Sequence, residues 1–275
     1  MRATSASQER AGRVAPGPTA RWFATRALDG AAPKLAIVDA ALATLVALVF
    51  AAVWRATGGP RAGFERLVPM LGTGLRWSVA LPIAWGALGA IEADRRAGLL
   101  DLAQRRGVPA RRWIVGRAFG AGLLVSICVG VPMVVTSLVL AAFGGGVEGA
   151  LARLSLLLPS IVVALSSGAV FGLGAVVVGA LVRSRPLAAA FFVGAATLGV
   201  LIDLLVPGLA GATAHQLLSP FLALEDLQAA VFDVAGAAPR GIAAAVAIAV
   251  VLTLGLRTGE LAFDQEREGA RLERE

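Results

Sequence analysis

The sequence predicts an all-α integral membrane protein with six transmembrane helices, and three observations carry that reading. Of its 275 residues, 57% are hydrophobic and only 16% are charged, where soluble globular chains are roughly a quarter charged. Mean hydropathy is +0.79. The apolar residues also fall in solid runs that meet the roughly 20 residues a helical span needs. They do not alternate over about ten residues, as the strands of a membrane β-barrel do.

Residues 1–33 form a basic cytoplasmic tail whose first dozen residues read as disordered. Within it, 19–28 places Trp22 and Phe23 among arginines, which suits a short interfacial helix feeding into the membrane. A cleaved signal peptide is disfavoured, because the charged region is too long and the following run is span-length. Residues 34–257 form the transmembrane domain, with spans at 35–54, 71–91, 118–143, 154–182, 187–206 and 241–256. The first span carries Asp39. The second has Arg76 near its outer end and Pro82 inside, and the third has Pro132 as a kink. Gly144, Gly145 and Gly146 mark a turn. The fourth span carries Gly168-x-x-x-Gly172, a spacing that lets helices approach closely. A tight basic turn, Arg183-Ser-Arg185-Pro186, leads to the fifth span with Asp203.

The connection 207–240 is too polar to span and rather apolar for a solvated loop. Ser219-Pro220 is a helix start, with Ser as N-cap and Pro at the first helical position. Phe221, Leu224, Leu227 and Val231 then line one face, giving one or two short outer helices. The tail 258–275 alternates acids and arginines, as a solvated helix or a disordered segment would.

Six spans put both termini on one side. That side carries 19 of the 25 Lys and Arg residues and the other carries 6, so the positive-inside rule makes it cytoplasmic. The arginines border apolar spans, so the net charge of +7 sets topology and meets lipid headgroups, with no nucleic-acid partner expected. No internal repeat is evident, so the inverted-repeat signature of many secondary transporters is missing.

Several chemistries are excluded. One cysteine, Cys128, and one histidine, His215, leave no disulfide and no ligand set for zinc, haem or an iron–sulfur cluster. A P-loop needs Gly-x-x-x-x-Gly-Lys-Ser/Thr, and the only lysine, Lys34, follows Pro33 at a membrane edge. The chain is therefore expected to have no catalytic residues and no cofactor of its own. Two intramembrane carboxylates remain. A mid-span Asp costs roughly 2.5–3.5 kcal/mol on insertion scales, so Asp39 and Asp203 are candidates to line a translocation path. Asp203, close to the outer end of its span, reads equally as an interfacial residue bonded to a neighbouring helix.

The longest polar interruption is residues 91–117. It holds seven arginines and three acids, Glu92, Asp94 and Asp101, around an apolar patch of Leu99, Leu100, Leu102 and Ala103. A two-turn helix here would be amphipathic and lie on the membrane surface; the plainer alternative is an ordinary positive-inside loop. The stretch resembles the cytoplasmic loop of ABC-2-type permeases, the membrane subunits of one class of ABC transporters. In that family a Glu-rich helix end precedes Gly-Thr-Leu-Glu-Leu-Leu, a Pro-Val-Ser-Arg-like turn, and a Gly-Lys opening the third span. Gly98, Leu100, Asp101 in place of Glu, Leu102, Val108, Arg111 and Gly116 match. Leu99 stands for Thr, Gly107 for the Pro, and Arg117 for Lys. Residues 187–231, with Leu201-Ile-Asp203-Leu-Leu and Leu218-Ser-Pro-Phe, are also similar, more weakly, to the permease of the nitrous-oxide-reductase maturation transporter.

The resemblance covers roughly residues 20–257. It implies an amphipathic N-terminal elbow helix and a coupling helix at 98–104. That helix would dock in a groove of a separate ABC ATP-binding subunit through Gly98, Leu99, Leu100, Asp101 and Leu102, with Arg95, Arg96, Arg105 and Arg106 on the rim. It implies ATP and Mg on that subunit, a second permease copy, export as the direction, and the bacterial cytoplasmic (inner) membrane. The rival readings are an ATP-independent secondary transporter or channel, a non-transporting assembly or scaffold protein, and a membrane enzyme.

Overall fold

The computed structural model describes residues 20–27, 31–57, 61–142, 151, 154–182, 184–205, 219–232 and 238–272, and every regular element among them is helical. Five helices are long and apolar enough to cross a membrane: Pro33–Ala56, Arg66–Arg96, Arg111–Ala142, Leu157–Leu181 and Arg240–Gly259. This is a multi-pass membrane protein. In chain order the elements are α1 (Ala20–Ala27), α2 (Ala31–Ala56), α3 (Arg61–Leu75), a π-helical segment (Arg76–Ala80), α4 (Leu81–Leu88), α5 (Ala90–Arg96), α6 (Leu99–Arg105) and α7 (Ala110–Ala142). Then come α8 (Leu157–Ser167), a second π segment (Gly168–Leu173), α9 (Gly174–Leu181), α10 (Arg185–Leu205), α11 (Pro220–Val231) and α12 (Ala238–Leu272). The helix α10 has 21 residues, of which Arg185–Leu198 form its apolar stretch.

On the first span burial follows size rather than hydrophobicity, as a lipid-facing helix allows. On α2 the inward stripe is Ala36, Ala40, Ala47 and Ala51, while Leu35, Val38, Leu42, Leu45, Val49 and Val53 face outward. Lipid tails are as apolar as leucine, so large side chains gain nothing by turning inward, and small ones let backbones approach. The spacing in span four acts in this way. A Cβ on Gly168 would overlap the Gly122 carbonyl, and one on Gly172 would overlap the Gly122 backbone, so α7 crosses the second π segment with almost no side chain between them.

Four elements meet at Phe171, which is fully buried. Its ring makes edge contacts with Trp77 of the first π segment, Phe192 of α10 and Phe221 of α11, at centroid distances of 6.4, 6.3 and 5.1 Å. Edge-to-face packing sets the negative face of one ring against the positive edge of another.

Several boundaries differ from the sequence expectation. The second span begins at Arg66, five residues before residue 71, and α3 itself begins at Arg61, so Arg76 lies inside the bundle rather than near its end. The third span starts at Ala110 and runs through Pro132 as one continuous helix. The last helix continues past residue 256 to Leu272, into the charged tail. The outer segment is as expected at its start: Ser219 Oγ accepts from the Leu222 amide at 3.4 Å, with Pro220 at the first position. It does not merely rest on the surface, because Phe221 and Leu224 are buried and Leu227 and Val231 pack on the core. The expected disorder of the first dozen residues, the turn at Gly144–Gly146, and Arg183 lie outside the described residues.

Candidate functional site

The site is built at the end of the bundle where α5, α6 and the start of α7 meet α1. Its most distinctive part is α6, a two-turn helix set off by left-handed glycines on both sides: Gly98 at φ +66° and Gly107 at φ +71°. A Cβ at either would meet no atom within 4 Å, so glycine is there for its backbone conformation and not for space. The Val108 amide reaches back to the Ala103 carbonyl at 2.9 Å, which closes α6 in a Schellman arrangement with Gly107 at C′. That explains why glycine, not proline, occupies this turn.

The burial of α6 narrows the surface it offers. Leu100 and Ala103 are buried and Leu99 is half-buried against the core, whereas Leu102 is 47% exposed. Arg105 and Arg106 are exposed. The sequence reading puts Leu99, Leu100 and Leu102 together on the docking face. The structure turns Leu100 inward, because it shares the buried face of α6 with Ala103 three residues on, while Leu102 falls on the opposite, exposed side. The side chains of Asp101 and Gln104 lie outside the described residues. Beside α6, Arg96 pairs with Glu92 one turn earlier on α5.

A buried ion pair joins α5, against which α6 packs, to α7. Asp94, near the end of α5, accepts from Arg117 Nε at 2.7 Å and from Arg117 Nη2 on its other oxygen. Trp113 Nε1 donates to the same carboxylate at 2.9 Å. Two parallel N–H···O bonds plus an indole donor fix the carboxylate completely, which lysine's single point charge cannot do. The guanidinium carbon of Arg117 stands 5.4 Å from the centroid of Trp22 on α1. Trp22, Phe23 and Trp113 form a ring cluster with centroids 5.0 to 5.6 Å apart. A Cβ at Gly116 would overlap the Phe23 ring, so the glycine opening the third span is the seat of α1. One joint thus ties together the N-terminal helix, the end of span two beside α6, and span three. The sequence names Asp94, Trp22, Phe23, Gly116 and Arg117 singly, and no spacing rule links them. Asp94 and Arg117 are 23 residues apart and meet only when α6 folds the chain back on itself.

A second polar cluster lies deep in the bundle. Arg76 is buried, and its Nη2 donates to Gln228 Oε1 of α11 and to Thr73 Oγ1 at 3.0 Å. Gln228 Nε2 donates to the Pro69 carbonyl at 2.9 Å and to Thr73 Oγ1 at 3.0 Å. One glutamine therefore latches α11 onto span two through both ends of its amide. Gln228→Leu leaves the Arg76 guanidinium with fewer acceptors in a dry setting. The expected loss is about 2 kcal/mol, dominated by the charged bond and less by the neutral ones. Thermal unfolding in detergent reads it; a transition unmoved relative to wild type would show that the latch carries no stability.

Of the two carboxylates considered for a translocation path, Asp39 is half-buried on α2. Asp203 falls near the end of α10, and its side chain lies outside the described residues. Among the described residues, no group of three or more His, Cys, Asp and Glu side chains is arranged to hold a metal. Comparison with family models, with curated proteins and with solved structures gives no match.

Proposed function

We propose that this chain is the transmembrane permease subunit of an ABC-2-type exporter, coupled to a separate ATP-binding subunit. The observation that supports it best is α6: a short helix between two long spans, delimited by left-handed glycines, presenting Leu102 among Arg105 and Arg106. An apolar residue ringed by cations fits a partner groove with an apolar floor and an acidic or polar rim. The joint beside it on α5 supports the second requirement of a coupling element, a rigid connection. Displacement of α6 reaches Asp94 through α5, against which α6 packs, and from there Arg117 and Trp22 carry it to span three and the N-terminal helix together.

In this reading α10 is a sixth span, α1 is the elbow helix, and both termini are cytoplasmic in a bacterial inner membrane. Two copies associate with two ATPases, which carry ATP and Mg. Closure of the ATPases shifts the spans between two packed arrangements, and a bistable packing of rigid helices is what such a shift needs. Asp39 and Asp203 remain the candidates for lining the path between copies.

Co-purification in mild detergent tests the class: an equimolar partner carrying a P-loop is expected. A homo-oligomer without one, from cells expressing the neighbouring genes, favours the ATP-independent transporter or the scaffold. Leu102→Asp tests the docking face. It is expected to weaken association with the ATPase by about tenfold or more, the weight of a central apolar contact, with membrane insertion unchanged. Undiminished association would put the docking surface elsewhere. Leu100→Asp cannot serve as the test, since it buries a charge within the chain itself.

A further inference from the structure

Between α1 and spans one to four, at the same end of the bundle as α6, lies a cleft of about 490 Å³. We propose that it is a binding site for an anionic phospholipid, with the phosphate held by Arg185, Arg117 and Arg26 and the first part of the acyl chain on the apolar floor. The cleft depends on the joint described above but not on any partner ATPase.

The chemistry of the walls is two-sided. Among the described residues, three guanidiniums line the cleft and no carboxylate does. Asp94 neutralises Arg117 from behind, so Arg185 at the mouth supplies the leading positive charge. The floor is Ile83, Ala121 and Val176, with alanines and glycines around it. Cations beside an apolar floor at the level where spans end match a molecule with a phosphate head and a hydrocarbon tail. A free anion would have no use for the floor, and a lipid without net charge would gain less from the three arginines.

The cleft is also built rather than left over. Arg117 is 6% exposed and held by two bonds to Asp94, so one of the cations is fixed in place before any ligand arrives. Arg185 opens α10, where the Ser184 carbonyl accepts the first helical bond from Ala188 at 2.8 Å, so the positive end of the helix dipole adds to the guanidinium. The side chain of Arg185 lies across Gly89: a Cβ there would stand 3.1 Å from Arg185 Cδ and 3.2 Å from Nε. A larger residue at 89 would lift the arginine off the mouth. A second depression of about 590 Å³ continues past Arg185 and shares Gly89 and Ala93. Glu92, the acid among its described lining residues, is engaged by Arg96.

The test uses the full chain, purified in a neutral detergent, stripped of lipid and titrated with phosphatidylglycerol, phosphatidylcholine or inorganic phosphate while bound lipid is read by native mass spectrometry. Phosphatidylglycerol is expected to bind at least about fivefold more tightly than phosphatidylcholine, the discrimination that one arginine supplies near a charged headgroup. Arg185→Ala is expected to remove most of that difference, and Arg112→Ala, an exposed arginine outside the cleft, to leave it unchanged. Gly86→Leu narrows the cleft, since residue 86 lines it and a Cβ there starts in open space with nothing within 4 Å; it is expected to lower occupancy by both lipids. Equal binding of the two lipids, or equal effects of the Arg185 and Arg112 substitutions, would overturn the proposal. Displacement of phosphatidylglycerol by millimolar inorganic phosphate would overturn the lipid assignment in favour of a free-anion site.

Discussion

Replacing Asp94 with alanine is expected to cost about 3–5 kcal/mol, the penalty for leaving one partner of a buried ion pair uncompensated. Arg117 is 6% exposed and Asp94 fully buried, so water cannot substitute for the lost carboxylate, and the Trp113 indole N–H loses its acceptor too. The measurement is the fraction of folded chain surviving a heat ramp in detergent, followed by size exclusion. Asp94→Asn keeps the shape and accepts one or two of the three donors, so its loss should be smaller. Arg117→Lys keeps the charge but gives up the parallel second bond and the flat contact with Trp22, and should fall between wild type and Asp94→Ala. The decisive variant is the pair Asp94→Leu with Arg117→Met. Replacing both ions by apolar groups of similar volume is often neutral, so stability should return, while under the proposed function ATPase-coupled flux should not. Restored stability with restored flux would show that the joint only holds the fold. Failure to restore stability would show that the aromatic contacts depend on the guanidinium itself.

How far each feature was legible in the sequence depends on how local its signal is. Span existence depends on local composition, and the long apolar runs are helices here. Span edges depend on neighbours. Arg76 reads as an edge because a lone arginine in an apolar run is costly, and no local signal shows that Gln228, 152 residues later, accepts from it. Ser219-Pro220 was readable because capping is a contact between near neighbours. The stretch 91–117 is legible as an amphipathic helix, but its orientation is not. Leu100 faces inward because Gly98 and Gly107 fix how α6 lies on the bundle, and a positive φ is not written in the apolar pattern. The π segments left no trace at all: each adds a residue to one turn and shifts the register of the helix beyond it, at Arg76–Ala80 and Gly168–Leu173.

The second π segment makes the other large prediction specific. Gly172→Ala is expected to be among the most damaging single-methyl changes in the chain. Its Cβ would overlap the Gly122 backbone and stand 2.7 Å from the Ala121 carbonyl carbon, and backbone atoms of a packed span cannot swing aside as a side-chain tip can. Overpacking of this kind costs about 1–3 kcal/mol where the neighbours can yield, and here the effect should lie at or beyond the upper end. Gly179→Ala should behave alike, since its Cβ would run into the Leu88 carbonyl of span two. Gly122→Ala is milder, because its nearest foreign atom, the Gly168 carbonyl oxygen, is 3.1 Å away. Gly74→Ala and Gly194→Ala meet no atom within 4 Å and should be neutral, or stabilising by up to about 1 kcal/mol through helix propensity. The order matters more than any single value. If all five alanines gave equal losses, glycine would be acting through backbone flexibility and the close crossings would be irrelevant. A steep drop at 172 and 179 alone would mean that span four is clamped on span three through one glycine face and on span two through another. The π segment lies just before Gly174, where the helix resumes, and supplies the rotation that lets one helix serve both neighbours.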